Sequence, residues 1–339
     1  MKYTPISAIL VMASFQSFSQ QTDSAEIYFQ KGIEQRAVRK FMIAANYLDK
    51  AVQFNPKYKE AYLENAYVNL EMRKTDNAIN NFSKVLEIDP SNTQATNELM
   101  QLYFNYHQYS KAKELAGNCK SCLNSDKIVA MCNFQEEDYG NAIKGLTSYL
   151  AKNAEDAEAT YTLGRSYLEL EQFKNAIPYY SKAVIMNEEK NMWAYELGMI
   201  YYTIEDFNNA VVYFKKAADK GYPQKSDFIE NMAYAYLYSG KTEEGEKMLS
   251  DLLAKRPGDK TMLRDMAEVF YKNKMYDKSL GYCQKLMELD MKDGQALYQA
   301  GLCFQKMGQK DKGQAMCDQA IELDPSLASK RTKQSLPGL

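Results

Sequence analysis

A 34-residue period is the feature of this sequence that most constrains its fold. The clearest copy spans 157–190 and reads AEATYTLGRSYLELEQFKNAIPYYSKAVIMNEEK. Leu163, Gly164 and Leu168 recur at the three- and four-residue spacing of an amphipathic helix. A polar break follows, and a second apolar stripe begins at Ala176. Because a hairpin of two helices cannot bury both stripes alone, the pattern predicts hairpins stacked on further copies of themselves.

Two columns of small residues indicate that the copies continue along the chain. The first-helix column is Gly32, Ala66, Ala130, Gly164, Gly198, Ala233, Ala267 and Gly301. The second-helix column is Ala44, Ala78, Ala112, Ala142, Ala176, Ala210, Gly245, Ser279 and Gly313. Small residues let paired helix backbones approach closely, so both columns are expected at helix–helix contacts. Proline is expected just beyond the ends of four second helices, at Pro56, Pro90, Pro257 and Pro325.

These columns resemble the tetratricopeptide-repeat (TPR) family over about Ala25 to Pro325. The resemblance implies an all-α fold, an α–α superhelix or right-handed solenoid of about nine helical hairpins. The nine repeats are expected near 25–58, 59–92, 93–122, 123–156, 157–190, 191–225, 226–259, 260–293 and 294–327. Repeat three is about one helical turn short, so irregular stacking is expected there.

The two ends of the chain do not follow the period. Lys2 precedes a short apolar run, and Ser17 and Ser19 supply the small residues of a cleavage site before Gln20. Residues 1–19 are therefore interpreted as a secretory signal peptide, which predicts an exported protein, periplasmic or secreted, with no transmembrane segment after cleavage. Residues 328–339 are expected to form a short polar tail or capping segment.

Charge and motif content exclude several functional classes. The formal net charge is −2 and the basic residues are dispersed, which argues against a nucleic-acid partner. His107 is the only histidine, and no phosphate-binding loop, dinucleotide-binding turn or zinc-protease helix is present. The sequence therefore predicts a protein without catalytic residues and without a cofactor.

Three cysteines near the end of repeat three allow several interpretations. Cys119 and Cys122 form a CKSC motif, and Cys132 follows in the next repeat. In an exported protein the favoured interpretation is a structural disulfide, for which Cys119 and Cys122 are the candidate pair. Free thiols are a second possibility. A zinc site formed by these cysteines with His107 has suitable ligand types but a spacing that matches no zinc motif. A thioredoxin-like centre is disfavoured because no strand pattern precedes the motif.

The resemblance also implies where a partner would bind. In TPR proteins the first helix of each repeat lines a concave groove, and here the residues opposite the core are rich in tyrosine. The candidate groove residues are Tyr67, Tyr161, Arg165, Tyr195, Met199, Tyr202, Tyr234, Tyr238, Tyr271 and Tyr298. Tyrosine combines a large contact area with a hydroxyl group, and methionine adapts to varied partners, so this surface suits protein or peptide recognition.

The leading hypothesis is a non-catalytic scaffold or adaptor that binds a peptide or protein segment in this groove, within a bacterial envelope assembly. The resemblance is the basis for that hypothesis, since a fold alone does not specify a function. Two alternatives remain open at the level of sequence. One is a structural spacer that associates with itself, and the other is a metal or redox site at the junction of repeats three and four.

Overall fold

The computed structural model describes residues 24–119, 121–122 and 124–329. The predicted signal peptide and most of the predicted tail lie outside these residues. The described chain is built of eighteen α-helices and one terminal 3-10 turn, and no strand occurs in this part of it. The fold class predicted from the sequence, all-α and built of successive helical hairpins, is confirmed.

The chain divides into two compact units, with the boundary between Gln172 and Phe173. The first unit contains α1 (24–37), α2 (Phe41–Phe54), α3 (Lys59–Glu71), α4 (Thr75–Ile88), α5 (Thr93–Asn105), α6 (Tyr109–Asn118), α7 (Ser125–Gln135), α8 (Tyr139–Leu150) and α9 (Ala157–Glu169). Within it, each helix from α2 onward packs against the next along the chain, and the first helices α5, α7 and α9 also contact one another in sequence.

The second unit contains α10 (Phe173–Met186), α11 (Asn191–Thr203), α12 (Phe207–Asp219), α13 (Ser226–Tyr238), α14 (Thr242–Lys255), α15 (Lys260–Lys272), α16 (Tyr276–Leu289), α17 (Gly294–Lys306), α18 (Lys310–Leu323) and the 3-10 turn Pro325–Leu327. Neighbouring helices pack in the same sequential manner. The helices fall two to each of the nine repeat ranges expected from the sequence.

Side-chain caps set where several first helices begin. Asp156, Asp259 and Asp293 each accept a hydrogen bond from the backbone N–H three residues later, at 2.9, 3.0 and 2.9 Å. Asn92 does the same at the start of α5. A carboxylate or amide oxygen at this position satisfies an N–H that has no partner inside the helix.

Left-handed residues end the first helix of every repeat. The nine residues with positive φ at these turns are Arg39, Arg73, His107, Glu137, Glu171, Glu205, Gly240, Lys274 and Gly308. The backbone N–H of the residue after each turn residue donates a hydrogen bond to the carbonyl five residues earlier. Examples are Lys74 N–H to Asn69 and Met275 N–H to Phe270, both at 2.8 Å. This hydrogen bond closes the helix end and reverses the chain into the second helix.

The small-residue columns lie where paired helices come closest. A Cβ placed on Gly301 would lie 2.8 Å from the carbonyl oxygen of Gly313, and one on Gly313 would lie 2.5 Å from the carbonyl oxygen of Gly301. Only glycine fits at this crossing of α17 and α18, because backbone atoms occupy the space of any side chain.

Helix α6 is the short element of the first unit. It has 10 residues, whereas α4 has 14. An open pocket of about 600 Å³ lies beside the end of α6, bordered by Gly117 on one side and by Asp126 and Gly145 on the other.

Candidate functional site

The candidate groove residues are divided between the two units. Tyr67, Tyr161 and Arg165 belong to the first unit, where they lie on α3 and α9. The remaining seven belong to the second unit, on first helices from α11 to α17.

In the first unit, Tyr67 connects three successive first helices. Its hydroxyl accepts a hydrogen bond from Gln94 at 2.9 Å and donates one to Glu98 at 3.1 Å. The guanidinium of Arg36 lies over its ring, 5.5 Å from the centroid. Burial is the main cause that raises the pKa of Tyr67. Because its hydrogen-bonding atoms already bind neighbouring repeats, Tyr67 is mainly a contact between repeats.

Tyr161 and Arg165 lie one turn apart on α9, and both are half-buried. Arg165 Nη2 is 2.7 Å from Glu169 Oε1, and the guanidinium lies 5.6 Å from the centre of the Phe134 ring. The charge of Arg165 is therefore held against its own helix and against α7.

In the second unit, Tyr195 forms the first of two aromatic clusters. Its ring stacks on Tyr222 with centroids 4.5 Å apart and packs at a tilt against Phe214 and Phe228. Its hydroxyl accepts a hydrogen bond from Asn231 at 3.0 Å, which links α11 to α13. Tyr195 is half-buried, so one side of the ring packs on the core and the rest reaches the surface.

The second cluster lies further along the same helices. Tyr202 meets Phe207 edge-on at 5.4 Å, and Phe207 stacks on Tyr238 at 4.7 Å. Tyr234 on α13 donates a hydrogen bond to Asp265 on α15 at 3.4 Å. Burial raises the pKa of Tyr202 to about 12, and the neighbouring Tyr238 and Asp265 add to that rise. The phenol of Tyr202 is therefore a neutral hydrogen-bond donor throughout the physiological pH range.

We use the name tyrosine face for the half-buried residues that these contacts bring together on first helices α11, α13 and α15, together with Met199, which lies one turn after Tyr195 on α11. Its members are Tyr195, Met199, Tyr202, Tyr234, Tyr238 and Asp265. The predicted residues Tyr195, Met199, Tyr202, Tyr234 and Tyr238 thus share one surface of one unit.

Asp265 is the member that the sequence reasoning missed. Burial raises the pKa of its carboxyl group. The adjacent Arg264 forms an ion pair with Asp293, with Nη2 2.8 Å from Oδ2. A periodic signal for Asp265 does exist: Glu196, Asn231, Asp265 and Gln299 form a polar column at intervals of 34 or 35 residues, directly beside the column that contains Tyr195.

Two predicted groove residues near the end of the chain differ from the others. Tyr298 is only 4% exposed and belongs to an apolar cluster with Leu302, Cys317 and Leu327, so its assignment to an open groove is wrong. The physical reason is that α18 and the terminal 3-10 turn cover its ring, through Cys317, Ala320 and Leu327. Tyr271 is half-buried against the same cluster.

The cysteines resolve into one disulfide and four buried thiols. Cys119 and Cys122 are joined by a disulfide, with Cα atoms 5.4 Å apart, directly after the end of α6. Burial raises the pKa of Cys132 to about 11, so its thiol is protonated and unreactive near neutral pH. Cys283, Cys303 and Cys317 are buried in the second unit.

The four residues of the alternative zinc site are engaged in other contacts. Two of its four ligands are joined in the disulfide, and His107 lies at an exposed turn where its Nδ1 is hydrogen-bonded to Tyr109 at 2.6 Å. Among the residues that the structure describes, no group of three or more His, Cys, Asp and Glu side chains could hold a metal ion.

Comparison with known proteins shows the family. Sequence models described as tetratricopeptide repeat match residues 133–185, 161–225 and 231–294, and a second model of the same description matches 60–92 and 294–327. Together they cover more than half of the chain. The chain belongs to the tetratricopeptide-repeat family. TPR proteins bind protein partners, and their repeats are in general non-catalytic scaffolds.

Individual relatives of this TPR protein are distant. DnaJ protein P58IPK homolog B of Oryza sativa subsp. japonica is 24% identical over 181 residues, which is 48% of this chain and 38% of that protein. Human RNA polymerase II-associated protein 3 is 31% identical over 81 residues, 24% of this chain and 11% of that protein. The chain spans between a third and two fifths of the length of the curated plant relatives it matches.

Solved TPR structures align with parts of the chain. The C-terminal part of a TPR repeat-containing protein from Cytophaga hutchinsonii has a TM-score of 0.45 at 18% identity and covers 67% of this chain and 95% of that one. YrrB, a TPR protein with an unusual peptide-binding site, has a TM-score of 0.41 at 19% identity and covers 56% of this chain and 98% of that one. Within the described residues, each helix of this TPR protein is too short or too polar to cross a bilayer.

Proposed function

We propose that this TPR protein is an exported scaffold that holds an extended or helical segment of a partner protein on the tyrosine face, within a bacterial envelope assembly. The observation that carries the proposal is the half-burial of Tyr195, Tyr202, Tyr234 and Tyr238 on one surface. Tyr180 and Tyr236, by contrast, are 0% and 8% exposed and fill the interior. The half-buried rings are fixed on one side by packing and free to contact a partner on the other.

Such rings suit protein recognition for a physical reason. A ring already held by its neighbours loses little side-chain entropy when a partner packs on it, and its hydroxyl offers a directed hydrogen bond. The stacking of Tyr195 on Tyr222 and of Phe207 on Tyr238 provides that prior fixation. Anchors of this kind are typical of the residues that dominate protein interfaces.

Two features support the remaining parts of the proposal. A disulfide between Cys119 and Cys122 suits an oxidising compartment, which agrees with export through the predicted signal peptide. The proposal of a non-catalytic role rests on the family and on the position of His107 at an exposed turn. Export is tested by fractionating cells and sequencing the mature amino terminus, which should begin at Gln20.

The binding role is tested by cross-linked affinity capture with the mature chain from its native envelope fraction. Tyr195→Ala/Tyr202→Ala should lose the partner. The matched control is Tyr201→Ala/Tyr213→Ala, which removes two stacked rings from the contact between α11 and α12. Circular dichroism must show that both variants keep their helices. If the first variant unfolds, Tyr195→Phe/Tyr202→Phe removes only the hydroxyls and should still weaken capture. An unchanged set of captured proteins in the folded variants would place binding elsewhere on the molecule.

A further inference from the structure

Within the part of the chain that the structure describes, the carboxylate of Asp265 lacks a close cationic partner. Its hydrogen bond from Tyr234, at 3.4 Å, is long. Two cations of the same helix are engaged elsewhere: Arg264 binds Asp293 at 2.8 Å, and Lys272 binds Glu268 at 2.8 Å. A half-buried carboxylate in this state has lost part of its hydration without gaining a compensating charge.

Three phenols of the tyrosine face accompany this carboxylate. Tyr234 is hydrogen-bonded to it, Tyr238 lies one turn further along α13, and Phe207 packs between Tyr238 and Tyr202. The charge of Asp265 contributes to the raised pKa of Tyr202, Tyr234 and Tyr238, after burial as the main cause in each. Aromatic rings attract cations through the negative potential above their faces, and the attraction is stronger where water is partly excluded.

The charges around the site favour a cation. Burial, Glu268 and Asp259 raise the pKa of Asp265, whereas Arg264 and the Tyr234 hydrogen bond lower it. A cation of this chain already lies at the edge of the cluster, since the Lys272 ammonium is 6.0 Å from the centre of the Tyr238 ring. Lys272 is exposed and is paired with Glu268, so it does not satisfy Asp265.

We propose that Asp265, Tyr202, Tyr234 and Tyr238 form a subsite for one lysine or arginine side chain of the bound protein segment. This inference rests on the proposed function and specifies the chemistry of its partner. The cationic head of that side chain would pair with Asp265, and its aliphatic stem would pack along the rings. Apolar residues on either side of it would contact Tyr195 and Met199.

The test selects ligands for the full mature chain from a library of short random peptides, in parallel for wild type, Asp265→Asn and Asp251→Asn. Asp251→Asn is the matched control because it removes an exposed carboxylate from the second helix α14, outside the first helices that carry the tyrosine face. Wild type and Asp251→Asn should enrich peptides with one basic position, and Asp265→Asn should not.

The selected peptide is then resynthesised with norleucine in place of its basic residue. We expect wild type to bind the basic peptide about tenfold or more tightly than the neutral one, as a charged contact in a partly desolvated site should. Asp265→Asn should bind both equally. Lys272→Ala should bind the basic peptide more tightly than wild type does, because a competing cation is removed from the ring edge.

The outcomes separate this inference from the proposed function. If wild type selects peptides without a basic position, and Tyr195→Ala/Tyr202→Ala abolishes their binding, the tyrosine face binds protein segments and the cation subsite is overturned. The cation subsite is also overturned if wild type and Asp265→Asn prefer the basic peptide over the norleucine peptide by the same factor. If the tyrosine variant leaves peptide binding intact, or if no peptide is enriched, the proposed function fails together with this inference.

Discussion

At the scale of single residues, Asp265 should lower the stability of the folded chain. Burial is the first cause that raises the pKa of its carboxyl group above the usual value of about 3.9. The folded chain therefore binds this proton more tightly than the unfolded chain does. Asp265 has a lower pKa in the unfolded chain than in the folded chain. As the pH rises through these two pKa values, the unfolded chain releases the proton first, and the free energy of unfolding falls.

Asp265→Asn should for this reason raise the melting temperature near pH 7. At a pH below the pKa of Asp265 in both the folded and the unfolded chain, the substitution should change the melting temperature much less. Thermal unfolding followed by circular dichroism over that pH range measures the difference. Glu268→Gln, whose carboxylate lies in an exposed ion pair, should shift the melting temperature only slightly. A loss of stability in Asp265→Asn near pH 7 would show that Asp265 is a structural anchor and not a group that a ligand completes.

A second prediction at this scale concerns the left-handed residues that end the first helices. Lys274 has φ of 63°, and Gly308 occupies the equivalent turn one repeat later with φ of 89°. A side chain in this conformation crowds its own backbone, and glycine does not. Lys274→Gly should increase the free energy of unfolding by about 0.5–1 kcal/mol after the greater freedom of glycine in the unfolded chain is subtracted.

The matched reverse change is Gly308→Ala, which should lower the free energy of unfolding by a similar amount. Urea unfolding of both variants gives the comparison. If both changes shift stability in the same direction, backbone strain at these turns does not control the stability of the repeats.

At the scale of the helical hairpin, close packing depends on the small-residue columns. A Cβ on Gly198 would lie 2.7 Å from the ring of Phe214, which is fully buried. Gly198→Ala should therefore push α11 away from α12 or displace that ring, at a cost of about 1–3 kcal/mol. Gly281 offers a control inside α16, because nothing lies within 4 Å of the point that a Cβ would occupy there.

Gly281→Ala should stabilise the chain by about 0.5–1 kcal/mol, since alanine favours a helix and meets no obstacle there. Chemical denaturation of the two variants should thus give shifts of opposite sign. A neutral Gly198→Ala would mean that the ring of Phe214 moves aside freely, and the column would then reflect helix preference and not close packing.

The sequence predicted the helical hairpins well because local periodicity determines where their helices lie and pack. The spacing of Gly198, Gly245 and Gly301 identified helix contacts, and acidic residues such as Asp259 begin helices by a local hydrogen bond. The left-handed turns were not predicted, because residues such as Lys274 and Glu205 give no signal of the kind that glycine gives. The short α6 follows from the shortened repeat length.

At the scale of the whole molecule, the sequence predicted which helices carry the tyrosines but not the environment of each one. Tyr195 and Tyr298 occupy related positions in their repeats, and yet Tyr195 is half-buried whereas Tyr298 is covered by the terminal turn. Asp265 was missed because its significance arises from rings on two other helices and from the turning of Arg264 toward Asp293. Contacts of this kind depend on three-dimensional neighbours that a period does not specify.

The central claim, that a partner protein lies on the tyrosine face, is tested most directly by photo-crosslinking in the native envelope. A benzophenone amino acid is placed at Met199 and, in a separate variant, at Val212, which is 55% exposed on the second helix α12. The account predicts a defined crosslinked partner from Met199 and none from Val212. A partner crosslinked from Val212 and not from Met199 would contradict it and would assign binding to the second-helix surface.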